Sequence, residues 1–433
     1  MPVKVTMRES AAAVSPAPLL RKAGLLSLHP LIETNPDAVF IKRTRVAVKT
    51  DAQAKTHEGA ALARDLFVSG GASGLPLPPR IAVKPNLTNT FGKGTTPEGM
   101  GIVTDAHFME GLIEGMKGAG FQADRICVRE GNWLADGVCG KDMPMTGYVE
   151  MAERTGVQML EFPTGRRIRD LKTPELMDGA EVVWKDVPDG VVFRRVGVVD
   201  PFNQPDAWLL NVAKLKAHGM GMTLCVKNLQ GICVSPHIFF CEGLRPARES
   251  GSRLLRDLQP DVERRVAELH ARHRDAGYAR WDRPGDAFNS GYGMEMWCQR
   301  ICDLHSVTPI GLNIVEGIYG RNGNGFMQGP GPGGLAEDFM TNVLIFGKDA
   351  FRVDIVGTWL AGHDPSKFGL FHIARERGLS TVADPMDIPV YLWEGGNPKR
   401  APLTDFDRTP ITTPYMPRDY NRRCEPQYHL VNE

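Results

Sequence analysis

The chain has 433 residues, which at roughly 150 per domain allows two or three folded units and excludes a single small module. With 42% hydrophobic and 24% charged residues it holds ample apolar material for packed cores, which excludes disorder of the whole chain. Lys plus Arg (51) balances Asp plus Glu (51), so a general nucleic-acid or polyanion binder is excluded while a local basic pocket is not.

The first residues carry Arg8 and Glu9 and then break a short apolar stretch with Pro16 and Pro18, which spoils a secretory leader. Nowhere do roughly 18 apolar residues run together, so no membrane span is expected. Short β-rich runs follow: RIAVK (80–84), RICVRE (125–130), VQMLEF (157–162), AWLLNV (207–212), IGLNIV (310–315), NVLIFG (342–347) and IPVYLWE (388–394). Between the first two, Thr104 and Asp105 offer caps for a helix carrying Phe108, Leu112, Ile113 and Met116, ended by Gly118 and Gly120. This β-α-β alternation predicts an α/β fold with mostly parallel sheets and helices on both faces. Polar helical spacing with Val262, Val266 and Leu269 on one stripe predicts a surface or inter-lobe helix from about Arg253 to Arg280, followed by a connector and a helix over MEMWCQRICDL. A two-lobed chain is expected, with lobes at 1–305 and 306–396. Residues 397–433, broken by Pro398, Pro402, Pro410, Pro414, Pro417 and Pro426, read as an extended arm or a tail. Phe406, Tyr415, Tyr420 and Tyr428 could anchor such an arm on its own lobe or in a homodimer.

Eight cysteines without a C-x-x-C pair point to a reduced, cytoplasmic protein. Cys225, Cys233 and Cys241 recur at a spacing that no compact cluster requires, and Cys298 and Cys302 read as core residues.

Ligands in doubly wound sheets bind beyond the carboxyl ends of the strands, so the residues there are the candidates. After the first strand come Lys84, Asn86, Thr88 and Asn89, suited to a carboxylate or phosphate; after the second come Glu130, Asn132 and Trp133. The stretch 211–237 places Lys214, Lys216, His218, Lys227, Asn228 and His237 around two glycine turns without an acid. Repulsion among these cations in a cleft would depress a lysine or histidine pKa. The competing reading is a solvated basic loop, against which Leu224, Val226, Leu229 and Ile232 imply packing. Glu316 opens a glycine-rich stretch to Gly334 in which Asn322 and Asn324 tolerate positive φ; it matches neither a P-loop nor G-x-G-x-x-G. Asp354 lies on an apolar helix face starting near Asp349, and His363 and His372 read as core or helix-end residues.

The pieces IAVKPNLT, TDAHFMEGLIEGMKGAGF with ICVREG, AKLKAHGMGMTLCVKNLQGI, IVEGIYGRNGNGFMQGPGPGG and IFGKDAFRVDIVGTWLAGHDP, with HIARERGL, resemble domain-of-unknown-function family 362 over Ile81 to Leu379. That resemblance implies an association with iron–sulfur proteins, although the ferredoxin-type cysteines of many relatives are missing here, so the chain is not expected to hold its own cluster. The order His218, Lys227, His237 is also similar to that in nickel-dependent lactate racemases. There two histidines act as bases on a 2-hydroxy acid, a lysine tethers a pincer cofactor and a histidine binds the metal.

These readings lead to an enzyme acting on a small anionic, carboxylate-bearing metabolite by proton or hydride transfer. Lys84, Asn86, Lys214, Lys216, Asn228, Asn322 and Asn324 would bind substrate; His218, Lys227 and Glu316 would be catalytic. His237 and Asp354 would hold a possible divalent metal. The alternative is a non-catalytic cofactor carrier or redox accessory partnering an iron–sulfur protein.

Overall fold

A computed structural model describes residues 26–413 apart from 70–76, 89, 91, 131–145, 161–181, 235–236, 238–243, 246–247, 249–253 and 287–289. Its strands are β1 (Leu26–Leu28), β2 (Val39–Arg43), β3 (Phe67–Ser69), β4 (Arg80–Pro85), β5 (Ile126–Arg129), β6 (Gln158–Leu160), β7 (Val182–Asp186), β8 (Arg195–Val199), β9 (Ala207–His218), β10 (Gly221–Thr223), β11 (Leu312–Arg321), β12 (Asp338–Gly347), β13 (Val390–Glu394) and β14 (Asn397–Arg400). Its helices are α1 (Pro30–Thr34), α2 (Ala52–Leu66), α3 (Ala106–Gly118), α4 (Tyr148–Thr155), α5 (Cys225–Asn228), α6 (Leu254–Asp257), α7 (Val262–Asp275), α8 (Gly291–Val307), α9 (Ala350–Leu360) and α10 (Gly369–Glu376).

One ten-stranded sheet runs β14, β13, β2, β12, β11, β9, β4, β5, β6, with β10 added on β9. From β11 to β6 every neighbour is parallel. The chain runs outward from β4 through β5 to β6 and then returns to place β9 on the other side of β4. Crossovers therefore change direction between β4 and β9, which makes the carboxyl ends of those two strands the crevice position of an open α/β sheet. Strands from both sides of position 306 lie side by side here, since β2 separates β12 from β13 and β11 lies on β9.

Strand alternation sorts the core into two layers. Ile81, Val83, Leu210, Val212 and Ile314 face α2 and α3, whereas Ala82, Leu209, Ala213 and Val315 face the layer of α8 and α9. Helix α3 starts where the sequence places it, with Asp105 Oδ1 accepting the amides of His107 and Phe108 at 2.9 and 3.1 Å. It meets α2 at van der Waals distance because Gly59 and Gly111 face each other's helix. A Cβ on either would lie 2.1 Å from the Phe108 carbonyl oxygen or 1.9 Å from that of Thr56.

Two strands are longer than their apolar runs suggest. The run 207–212 continues to His218 and 310–315 continues to Arg321, so Lys214, Lys216 and Glu316 lie inside strands and not on the expected loops. Their charges mimic a turn in the sequence, but each is buried with a partner. At the C-terminal end, β14 turns back on β13, Phe406 and Ile411 are buried, and the Thr409 and Ile411 amides donate to Leu360 and Ala361 at 2.9 Å. The arm thus packs on its own chain as far as residue 413; Tyr415, Tyr420 and Tyr428 lie outside the described residues.

Candidate functional site

At the crevice, β4 delivers Lys84 to the face covered by α5. Its ammonium uses all three donors, on Glu130 Oε2 (2.7 Å), the Pro85 carbonyl (2.6 Å) and Asn228 Oδ1 (3.1 Å). Glu130 Oε2 also accepts the Leu87 amide at 2.6 Å, so the ion pair pins the chain leaving β4 to the chain leaving β5. Gly231 fits over this pair because a Cβ there would sit 2.0 Å from Glu130 Oε1 and 2.4 Å from Lys84 Cε. Asn228 extends the network sideways through Asn211 (2.8 Å) to Asn313 (2.8 Å), which donates to the Lys348 carbonyl at 3.0 Å.

On the α2/α3 face a second buried network lies beneath the strand ends. Lys214 and Glu316 are register partners on β9 and β11, joined at 2.7 and 3.0 Å, and neither is exposed. Lys55 donates to Asp105 Oδ2 at 2.6 Å, the Tyr319 hydroxyl donates to the same oxygen at 2.7 Å, and Lys214 lies 3.3 Å from the Tyr319 ring centre. Two cations balance two carboxylates. Burial raises the Asp105 carboxyl, but the Lys55 charge and hydrogen bonds outweigh it and hold Asp105 below the ordinary value.

Beyond this pair β11 loops outward. Its pairing with β9 steps from Glu316 opposite Lys214 to Arg321 opposite Lys216, so five residues on one strand match two on the other. The bulge brings a guanidinium beside Lys216. Arg321 is held by Asp338 (2.6 Å) and the Glu98 and Phe326 carbonyls. Lys216 differs: it is buried, donates to the Ile102 carbonyl at 2.6 Å and makes no ion pair among the described residues. Burial, then repulsion from Lys227 and Arg321, holds its ammonium well below the ordinary lysine value. His218 closes β9, half-buried, with Phe326 edge-on at 5.9 Å. Burial, then Lys227 and Lys216, keeps its imidazole well below the ordinary histidine value, hence neutral. Its Nδ1 accepts the Met220 amide at 3.1 Å, which leaves the neutral ring's proton on Nε2.

Buried polar atoms near these groups that have no hydrogen-bond partner among the described residues include Asn86 Oδ1 and the Tyr148 hydroxyl. Asn86 follows β4, and Tyr148 opens α4 within the fields of Asp105, Glu316 and Glu130. The C-terminal segment reaches the same edge, where the Thr413 hydroxyl donates to the His218 carbonyl at 2.6 Å and Thr412 accepts the Gly323 amide at 2.7 Å.

The structure therefore gathers Lys84, Asn86, Lys216, His218, Lys227 and Asn228 at the crevice, with Lys214 and Glu316 committed to each other beneath it. Asn322 and Asn324 fold the glycine-rich stretch: Asn322 Oδ1 accepts the Glu337 amide and Asn324 Oδ1 that of Phe326. His237 spends one ring nitrogen on the Gly197 amide (3.1 Å) and the other on Asp257 (3.0 Å). Asp354 accepts the Cys225 and Val226 amides at 2.8 and 2.9 Å, capping α5. These side chains do not fit a shared metal, and no three His, Cys, Asp or Glu among the described residues are grouped to hold one. His363 Nε2 lies 2.7 Å from the Ile411 carbonyl oxygen and His372 Nε2 lies 2.7 Å from that of Ser366. Asn89, Asn132, Trp133 and Cys241 lie outside the described residues. The sequence reading missed Lys55, Tyr148, Tyr319 and Arg321. Only Arg321, inside the glycine-rich stretch, carried a signal, as a lone cation at a strand end.

The family described as Domain of unknown function (DUF362) matches residues 81–359. The chain belongs to that family. The DUF362 match runs from β4 to α9 and so spans Lys84, Asn86, Lys216, His218, Lys227 and Asn228. No curated protein and no solved structure matches the chain, and the likeness to nickel-dependent lactate racemases is not shown.

Proposed function

We propose that this DUF362 protein is an enzyme that binds a small carboxylate-bearing anion at the β4/β9 crevice and moves a proton on it. The observation that carries this reading is Lys216, a buried amine that hydrogen-bonds one carbonyl, faces the Phe326 ring and makes no ion pair among the described residues. A lysine kept for stability has its carboxylate, as Lys214 and Lys55 do. In its amine form Lys216 is the base. The neutral His218 offers Nε2–H, and Lys227 supplies positive charge for the carboxylate. Unpaired buried thiols at Cys127, Cys225, Cys233, Cys298 and Cys302 support a reducing, cytoplasmic setting. No described helix is long and apolar enough to cross a membrane.

The test is exchange of substrate protons with heavy water, followed by proton NMR over a panel of small hydroxy, oxo and amino acids, with melting-temperature shifts recorded in parallel. At least one acid is expected to exchange with wild type and to lose at least about 100-fold in rate with Lys216→Met. Lys216→Met retaining every exchange rate and every ligand shift would sink the assignment.

A further inference from the structure

The amide network at the crevice determines which way round Asn86 is held. The Lys348 carbonyl can only accept, so Asn313 must turn its Nδ2 toward it and its Oδ1 toward Asn211. Asn211 then donates, as it also must to the Cys225 carbonyl at 2.9 Å, and offers Oδ1 to Asn228. Asn228 donates in turn, also to the Lys84 carbonyl at 3.2 Å, and presents Oδ1 to the Lys84 ammonium. The same Oδ1 receives Asn86 at 3.0 Å, so Asn86 must turn Nδ2 inward. Its Oδ1 is left buried and without a donor among the described residues. A chain of four amides, anchored by carbonyls at one end and an ammonium at the other, thus leaves one unpaired acceptor beside the carboxyl end of β4. Leaving such an acceptor unmet costs free energy, and a ligand that brings a donor recovers it.

We infer that Asn86 Oδ1 receives a hydroxyl of the bound anion, so that the crevice selects hydroxyl-bearing carboxylates over their unsubstituted counterparts. An ammonium is the other donor a small acid could carry, but the Lys227 charge that depresses Lys216 and His218 also repels it, which leaves the hydroxyl. Asn86 is a specificity-determining residue in this assignment. The assignment rests on the carboxylate reading of the crevice.

Matched pairs of acids test it by calorimetry on the full chain: glycolate against acetate, 3-hydroxypropionate and lactate against propionate, 3-hydroxybutyrate against butyrate. The wild type is expected to bind at least one hydroxy acid about tenfold or more tighter than its partner. In Asn86→Leu the preference shrinks to about twofold or less. Equal affinity within every pair in the wild type, as when a water satisfies Asn86, overturns the inference and leaves the carboxylate reading standing. Binding of no acid at all overturns both. The wild-type comparison decides even where Asn86→Leu does not fold, and a preference that survives in folded Asn86→Leu overturns the assignment to Asn86.

Discussion

Lys214 and Lys216 are two residues apart, point to the same side of one strand and have different fates. Glu316 stands opposite the first in register, and the bulge on β11 puts Arg321 opposite the second. One lysine is neutralised and the other is crowded by a like charge. Nothing in the local sequence separates them, because the partner is supplied about a hundred residues later. The cation-rich stretch itself was legible from 211–237, as were Lys84 and the capping Asp105. The roles expected for Glu316, His237 and Asp354 were not, since a buried charge looks the same in a sequence whether it faces a ligand or a counter-ion. The pairing makes a measurable claim. Glu316→Leu leaves a buried ammonium uncompensated and is expected to cost about 3–5 kcal/mol in urea unfolding. Glu316→Leu with Lys214→Met is expected to recover much of that loss. A stable Glu316→Leu would show that the pair is not fully buried in solution.

Among the elements, α7, α8 and α10 are joined by one histidine. His273 Nδ1 lies 2.7 Å from Glu295 Oε2 on α8 and Nε2 lies 3.0 Å from Glu376 Oε2 on α10. Burial lowers its proton affinity, but the hydrogen bonds and charges of the two carboxylates outweigh it and raise its pKa above the ordinary 6.5. Its stabilisation is therefore complete below pH 6.5 and is lost as pH rises through the raised folded value. His305 works in the opposite sense. Burial pushes it down to about 4 despite the Val226 carbonyl at 3.0 Å, so its contribution is lost as pH falls from 6.5 toward 4. Melting temperatures between pH 4 and 9 are expected to fall toward both ends. His273→Gln should flatten the alkaline limb and leave the acid limb unchanged; an unaltered alkaline limb would exclude the clamp. The helices themselves were legible from stripe and caps, as with Val262 and Val266 on α7. Their clamp was not, because it joins residues about a hundred positions apart.

For the molecule as a whole, the α/β class and the parallel β4/β5 unit follow from apolar runs and the α3 cap. The shared sheet does not, since β2 is a five-residue run whose neighbours β12 and β13 lie about 300 and 350 residues onward. The C-terminal segment also reads ambiguously, because prolines argue against regular structure without saying whether a strand of side chains is buried. Phe406 and Ile411 are buried against the layer of α9. Each such side chain stabilises by about 1.5–3 kcal/mol when fully buried. A chain ending at Pro402 is expected to melt several degrees lower than the full chain. An unchanged melting temperature would mean that this segment is not packed in solution, and light scattering on the same pair reports whether residues 403–433 hold two copies together.

The Lys214–Glu316 pair also constrains how the protein is made. During synthesis Lys214 leaves the ribosome long before its counter-ion exists, and β9 cannot sink an uncompensated ammonium into the α2/α3 layer. Until residue 316 emerges, Lys214 is expected to stay hydrated, with this part of β9 open on one face. The Lys55–Asp105 pair lies wholly within the earlier part of the chain and can close at once. The two pairs therefore predict an assembly ordered by charge, in which α2 docks on α3 before the crevice takes its shape.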